Sequence, residues 1–469
     1  MSGIIWDVLS RVNRWWFDER RVVEDEHIGR FLSSAVKWNP RIFVVDDVVD
    51  GVYTLRGPRQ VGKTTMLKLF IKDLLGSGYS GTSVIYVPCD VLRDYRELLE
   101  LLVNIRRRIR GRIVIILDEV GFVDEWQRAV KVFVDQGSLR NTTIIACGSH
   151  AVDVKKGAAY LVGRRGSARH PIDRVLLPMS FREYVSIIKP GLIRNIMCLE
   201  DVLSMDPIRR EAIIGELSEL FAMYLITGGF PRAIDEYIKN GAISRETLSD
   251  FINYLSKDIT KLGKSESLAK SVLASILRQR CNPVSWNSIA REIGISQPTA
   301  REYGDLLSRM YIIKLIYHPN RTFLGPDERK NKKLILRDPL LYHIASLWIR
   351  NFPEISINPD EIISWNIEYE AQYIVEMVVL EHISRQHTVY YWRHNKELDA
   401  VIIERGFARG IEVKWKERIS RGEIRDIIRT YNKIPMKKKK LIVITKRAYE
   451  ERENAVLIPA PLFLTLRGL

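Results

Sequence analysis

Apolar residues along this chain fall into two rhythms. Short unbroken runs recur at Gly51–Leu55 (GVYTL), Ser83–Val87 (SVIYV), Ile113–Leu117 (IVIIL) and Thr142–Ala146 (TTIIA). Runs of this length without alternation are typical of strands buried on both faces of a parallel sheet. The segments between them carry helical spacing, as at Met66, Leu67, Phe70, Ile71 and Leu74 within Thr64–Leu75. Strands alternating with helices predict an α/β fold with parallel order. Further on, Trp286–Ile293 and Gln297–Met310 read as two helices around Gly294-Ile295-Ser296, with Ile289, Ala290, Ile293, Ile295, Ala300, Leu306 and Leu307 facing inward. Gly294 suits a left-handed stop, Ser296 an N-cap and Pro298 a first turn, so the spacing predicts a helix-turn-helix. Ile312–Tyr317 and Lys333–Leu336 are then expected as wing strands around a basic tip holding Arg321, Arg329, Lys330 and Lys332. The last third predicts a helix, Glu368–Ser384, and strands at 389–393, 398–403, 410–415 and 441–445.

Chemistry enters where the first strand ends. Gly57-Pro58-Arg59-Gln60-Val61-Gly62-Lys63-Thr64, followed by Thr65, matches G-x-x-x-x-G-K-[ST] between a predicted strand and a predicted helix. In such a loop backbone N–H groups surround the β-phosphate of ATP, Lys63 reaches the β- and γ-phosphates, and the Thr64 hydroxyl ligates Mg²⁺. The strand Ile113–Leu117 ends in Asp118-Glu119. There Asp118 is expected to hold Mg²⁺ through water and Glu119 to polarise the attacking water. Ser149, with His150 beside it, is read either as a sensor of the γ-phosphate or as part of a turn. Arg164, in a Gly-flanked loop, and Arg232, after Gly228-Gly229-Phe230-Pro231, are both candidates to complete the site. An arginine offered there accelerates hydrolysis by ~10³ or more, and one offered in trans requires at least a dimer.

The length of 469 residues allows three or four structural units, and 46% hydrophobic with 28% charged residues exclude a disordered or collagen-like chain. Cys89, Cys147, Cys198 and Cys281 are scattered without a C-x-x-C pair. They are expected as buried apolar residues in a reducing compartment. No run approaches the ~20 apolar residues of a membrane span, and the start lacks a signal-peptide pattern, so the chain is expected to be cytoplasmic without a membrane partner. The net charge of +16 is uneven: residues 268–345 carry 13 basic and 6 acidic side chains, and 401–469 carry 17 and 8, while 346–400 is acidic. Two basic blocks suggest DNA as a partner. Gln297, Thr299 and Arg301 would face a groove and the wing cations phosphate; a lid or a protein contact is the competing role for this element. The run Lys437–Lys440 is read as a solvated loop or as a phosphate-tracking patch.

Taken with Leu117-Asp118-Glu119-Val120, Gly148-Ser149, Gly163-Arg164, Leu177–Tyr184 and Gly228–Pro231, the loop resembles the archaeal and bacterial AAA-type ATPases that carry a restriction-endonuclease-like C-terminal domain. The resemblance covers nearly the whole chain, including Asn13-Arg14-Trp15-Trp16. It implies an α/β, AAA-type P-loop NTPase with a helical lid, a winged helix and a nuclease-like α/β domain. The corresponding division is an N-terminal helical segment at 1–40, an ATPase core at 41–200, a lid at 201–265, a winged helix at 266–350 and the nuclease-like domain at 351–469.

Within that last segment Asp399, Glu412 and Lys414 form a D…E-x-K pattern. Residues two apart on a strand share a face, so Glu412 and Lys414 project together and Asp399 on the neighbouring strand joins them. Two carboxylates would ligate Mg²⁺, or Mn²⁺, while the lysine orients the attacking water. The pattern resembles the PD-(D/E)XK nuclease superfamily. That resemblance implies a helical glutamate as a further metal ligand, with Glu376 the first candidate and Glu381 and Glu370 competing. Three functions follow as expectations: an ATPase that licenses metal-dependent DNA cleavage, an ATPase whose nuclease-like domain only grips nucleic acid, and a switch that binds another protein.

Overall fold

The computed structural model describes residues 2–148, 160–354 and 358–467, which form two compact units, residues 1–177 and 178–469. In the first, strands β1 (Gly51–Arg56), β2 (Val84–Pro88), β3 (Ile113–Asp118), β4 (Thr142–Gly148) and β5 (Asp173–Val175) make a parallel sheet in the order β2-β3-β4-β1-β5. Consecutive residues of β3 are fully buried: Ile113, Ile115 and Leu117 on one face, Val114 and Ile116 on the other. This is why the run shows no alternation. Helices Tyr95–Arg108 and Trp126–Asp135 cover one face through Leu98, Leu102, Ile105, Ala129 and Phe133.

The N-terminal segment belongs to this unit. β2 is an edge strand, and an edge leaves backbone groups without a partner. The wholly buried Asn13 supplies one: its Nδ2 donates to the Tyr86 carbonyl at 2.8 Å, and its Oδ1 accepts from the Tyr86 N–H at 2.7 Å. Trp15 and Trp16 each donate an indole N–H to the Val84 carbonyl.

In the second unit, helices between Phe181 and Arg278 lead to Trp286–Ile293 and Gln297–Arg309. The turn between them is as expected: Gly294 is left-handed (φ 73°) and returns its N–H to Ala290, and Ser296 accepts from the Thr299 N–H. The following hairpin, β6 (Ile313–Tyr317) with β7 (Lys332–Leu336), is antiparallel. Here the structure departs from the expected division. β6 pairs with β8 (Val389–Arg393) at Tyr317 and Tyr390, so the hairpin joins the C-terminal sheet instead of standing as a separate wing. That sheet continues through β9 (Glu397–Glu404), β10 (Phe407–Lys414), β12 (Leu441–Thr445), β14 (Ala455–Pro459) and the two-residue β13 (Glu450–Glu451), with β11 (Lys437–Lys438) beside β10. Lys332, expected at the basic tip, is buried in β7 with its ammonium near the Trp286 and Tyr317 rings. Residues 178–200 also group with the second unit, not with the ATPase core.

Cys89, Cys147 and Cys281 are buried thiols, and Cys198 is half-buried. Among the described residues no single helix is long and apolar enough to cross a membrane; Pro207–Thr227 and Pro231–Asn240 pass together by length and composition but meet at a 115° bend.

Replacing Asn13 by Ala strands a buried N–H and a buried carbonyl of Tyr86. The expected loss is about 2–3 kcal/mol, read as a lowered urea midpoint of the full chain by tryptophan fluorescence.

Candidate functional site

β1 delivers the chain into the loop 57–62, and the Lys63–Gly76 helix starts directly after it. Gly57 passes so close to the residue that follows β5 that a Cβ there would lie 2.1 Å from the Leu176 carbonyl oxygen. Gly62, at φ 97°, caps the helix in a conformation that side chains disfavour. Gln60 also takes a positive φ and its buried Oε1 has no protein partner. Lys63 is buried and donates to the carbonyls of Gly57 and Pro58 at 3.1 and 2.8 Å, so its ammonium lies inside the loop.

Across from it the buried Asp118 ends β3. Its Oδ2 accepts from the Thr64 hydroxyl at 2.7 Å and from the Tyr86 phenol at 2.8 Å, and its Oδ1 from the Glu119 N–H at 3.1 Å. Burial, with the Asp118 carboxylate beside it, pushes the Tyr86 phenol far up, which keeps it a donor. Sequence reasoning did not single out Tyr86; its position on the strand next to β3, level with Ile116, was the available signal. Glu119 sits in the left-handed region (φ 52°), a costly conformation for a side-chain-bearing residue that turns the chain sharply after the strand. Lys68, one turn beyond the loop, pairs with Asp25 at 2.9 Å and lies 3.5 Å from the Tyr86 ring centroid. A pocket of about 300 Å³ opens there, lined by Arg14, Trp15, Asp25, Lys68 and Tyr86 among others. An ammonium in a glycine-bounded loop, facing a hydroxyl and a carboxylate 2.7 Å apart, fits a nucleotide phosphate with a hard divalent cation.

Arg164 does not come to this loop within its own chain. Its Nε pairs with Asp135 at 2.7 Å, and neighbouring Arg165 bonds Val52, at the start of β1, about 16 Å from the loop along the strand. Ser149 and His150 lie outside the described residues. Arg232, in the second unit, pairs with Asp250 at 2.7 Å and with Glu236.

The family comparisons divide the chain in three. Residues 49–185 match the model described as an AAA domain, 218–351 a domain of unknown function (DUF8612), and 372–463 another (DUF4143). The AAA match spans the phosphate loop and the five strands β1–β5. A curated protein of Haemophilus influenzae, described as uncharacterized, is 23% identical over 279 residues, 56% of this chain; the chain spans 61% of that relative. Solved structures with some similarity are a Walker-type ATPase of Pyrococcus abyssi (14% identity, 63% of this chain and 90% of that one, TM-score 0.39), the Aeropyrum pernix ORC1 protein in complex with DNA (15%, 63% and 86%, 0.30) and the Thermotoga maritima RuvB Holliday junction branch migration motor (16%, 61% and 85%, 0.26).

The second cluster lies within the C-terminal unit. Asp399 on β9 and Glu412 on β10 are joined through the backbone: the Val413 N–H donates to Asp399 Oδ2 at 2.9 Å, and the Asp399 N–H to Glu412 Oε2 at 3.2 Å. Lys414 pairs with Glu412. The Gln372 side chain donates to the Val413 carbonyl and accepts from the Trp415 N–H, clamping the Ala371–Ser384 helix to the end of β10. One turn later Glu376 meets the carboxylates. Glu381, five residues on, lies about 140° further around the helix and is met by Arg337 and Arg385. Glu370 pairs with Arg280. Of the three competing glutamates, only Glu376 is brought to Asp399.

A cation is already present among these groups. Lys333 of β7, 1% exposed, places its Nζ 2.7 Å from Glu376 Oε1, 2.8 Å from Glu397 Oε1 and 2.9 Å from Asp399 Oδ1. Burial alone would lower the ammonium, but Asp399, Glu376 and Glu397 outweigh it and hold it well above its ordinary range. Burial and the neighbouring Asp399 push Glu376 and Glu412 up; Asp399 would be raised by burial but is held down by Lys333 and Lys414. Among the described residues no group of three or more His, Cys, Asp or Glu side chains is arranged to hold a metal. The three carboxylates expected as metal ligands thus meet side-chain ammonium groups: Glu376 and Asp399 that of Lys333, and Glu412 that of Lys414. Lys333 was read as wing, and Glu397 was not singled out; two acids in ELD, alternating on one strand face, were the signal missed.

Glu381 is the only carboxylate among the described ion pairs to meet both Arg337 and Arg385. Glu381→Gln leaves two largely buried guanidiniums unmatched. The expected cost is about 3–5 kcal/mol, measured by chemical denaturation.

Proposed function

We propose that this protein is a Mg²⁺-dependent ATPase whose nucleotide state governs DNA binding by its C-terminal half. The observation that carries the first part is the 2.7 Å approach of the Thr64 hydroxyl to Asp118 beside the buried Lys63 ammonium. Lys63 and the loop N–H groups bind the β- and γ-phosphates, and Thr64 and Asp118 are the residues that hold Mg²⁺. Bound there, the metal neutralises charge on the phosphates. Tyr86 fixes the Asp118 carboxylate from behind by its hydrogen bond. Glu119, turned by its left-handed backbone, orients the attacking water. Arg164 or Arg232, offered by a second copy, supplies the guanidinium that completes the site.

DNA binding is supported by the winged-helix order of elements and by its exposed cations. Gln297 and Arg301 are exposed on the second helix, and Arg321, Arg329 and Lys330 on the hairpin tip. The tip is anchored by Phe323 and His318 stacked on Trp392. One observation favours a second reading, contact with a protein: Leu324 at the same tip is 89% exposed.

Lys63→Ala is expected to abolish ATP turnover in a phosphate-release assay, and hydrolysis at the wild-type rate by that variant would overturn the ATPase assignment. Gel shifts across a salt series separate the two readings of the tip. DNA contact predicts a linear fall of log affinity with log salt whose slope is shallower by about two in Arg321→Ala/Arg329→Ala; a slope near zero in the parent protein favours the protein partner.

A further inference from the structure

Asp399, Glu412 and Lys414 form a D…E-x-K pattern that resembles a metal-dependent nuclease, yet carboxylates that would ligate the metal surround a side chain. We infer that Lys333 is the resident cation of this cluster, occupying the place of a divalent metal, so that the C-terminal unit binds no Mg²⁺ or Mn²⁺ there and does not hydrolyse phosphodiesters.

Three observations carry this. The first is coordination. Lys333 Nζ lies within 2.9 Å of oxygens from Glu376, Glu397 and Asp399, which matches the three donors of an ammonium one for one. A metal brought between the same oxygens would stand against a like charge at contact distance, and hard cations require those oxygens for themselves.

The second is rigidity. Lys333 is not on a loop that could swing away. β7 pairs with β6 on one side, where Lys333 is level with Ile316, and on the other side Val284 exchanges both backbone hydrogen bonds with Lys332 at 3.0 Å. The Tyr391 hydroxyl further ties the start of β7 by donating to the Asn331 carbonyl at 2.6 Å. The third is the use of the remaining groups. Asp399 Oδ2 is bound by the Val413 N–H and Glu412 by Lys414, so the D…E-x-K residues are satisfied within the protein. Withdrawing Lys333 would leave three largely buried carboxylates facing each other without a counter-charge, which is costly because like charges repel strongly where water screens them little.

The inference rests on the geometry of the C-terminal unit alone, and ATPase activity or its loss in Lys63→Ala does not bear on it. The test uses the full-length, nucleotide-free chain with Mn²⁺ as the probe, counted by electron paramagnetic resonance. The wild type should show no Mn²⁺ that depends on Asp399, and Lys333→Met should gain one site that Asp399→Asn removes. A wild-type Mn²⁺ site lost in Asp399→Asn, Mn²⁺-dependent DNA cutting lost in the same variant, or a folded Lys333→Met without a new site each overturns the proposal. Since Lys333→Met could fail to fold, melting temperatures in EDTA give an independent reading. Asp399→Asn and Glu376→Gln should each melt several degrees below the wild type, because each removes a partner of a buried ammonium. A rise in either, the result for carboxylates crowded around an absent metal, overturns it as well.

Discussion

A buried charge must be matched where it lies, because water cannot reach it and the cost of leaving it alone exceeds what packing returns. Lys333 is the clearest case. Its ammonium is held by a helix, through Glu376, and by β9, through Glu397 and Asp399, while its backbone belongs to the hairpin that follows the helix-turn-helix. One ion cluster thus ties three elements into a single sheet-and-helix body. The same rule explains the strongly apolar Ala371–Ser384 helix, which can carry two glutamates only because each finds cations on its own side: Glu376 toward Lys333, Glu381 toward Arg337 and Arg385.

The N-terminal unit obeys it with different groups. Asp118, buried at the end of β3, gathers the Thr64 hydroxyl, the Tyr86 phenol and the Glu119 N–H. Lys68 is shielded by Asp25 and by the Tyr86 and Trp15 rings. Tyr86 therefore faces both, and Asn13 holds its backbone. Asn13, Trp15 and Trp16 are consequently part of the wall behind the P-loop. A segment read in isolation as a helical extension contributes to the electrostatics of the N-terminal unit.

How much could be read in advance follows from range. Of the five parallel strands, the three-residue β5, partly exposed and charged, was not legible; the other four and the P-loop were legible to within a residue or two, since local apolar runs and glycine placement encode them directly. So were both helices of the helix-turn-helix, through Gly294 and Ser296. The fate of the hairpin was not, because KKLIL describes a strand without saying which sheet it joins or which of its lysines turns inward. Lys332 and Lys333 are adjacent and chemically alike, and pleating sends them to opposite faces: one to the Trp286 and Tyr317 rings, the other to the carboxylates. The choice between Glu376, Glu381 and Glu370 was likewise open in sequence and closed by helical phase against β10.

By itself, then, the sequence determined what short-range physics can specify: the α/β order, the phosphate loop, the acid at the end of β3, and a D…E-x-K set on adjacent strands. The tertiary structure alone decided what those acids face. Separations of 43, 64 and 66 residues lie between Lys333 and Glu376, Glu397 and Asp399, and no local pattern encodes contacts across such spans. A carboxylate cluster reads the same along the chain whether its counter-charge is a metal ion or a lysine, because both satisfy the same oxygens; only the fold brings one of them in.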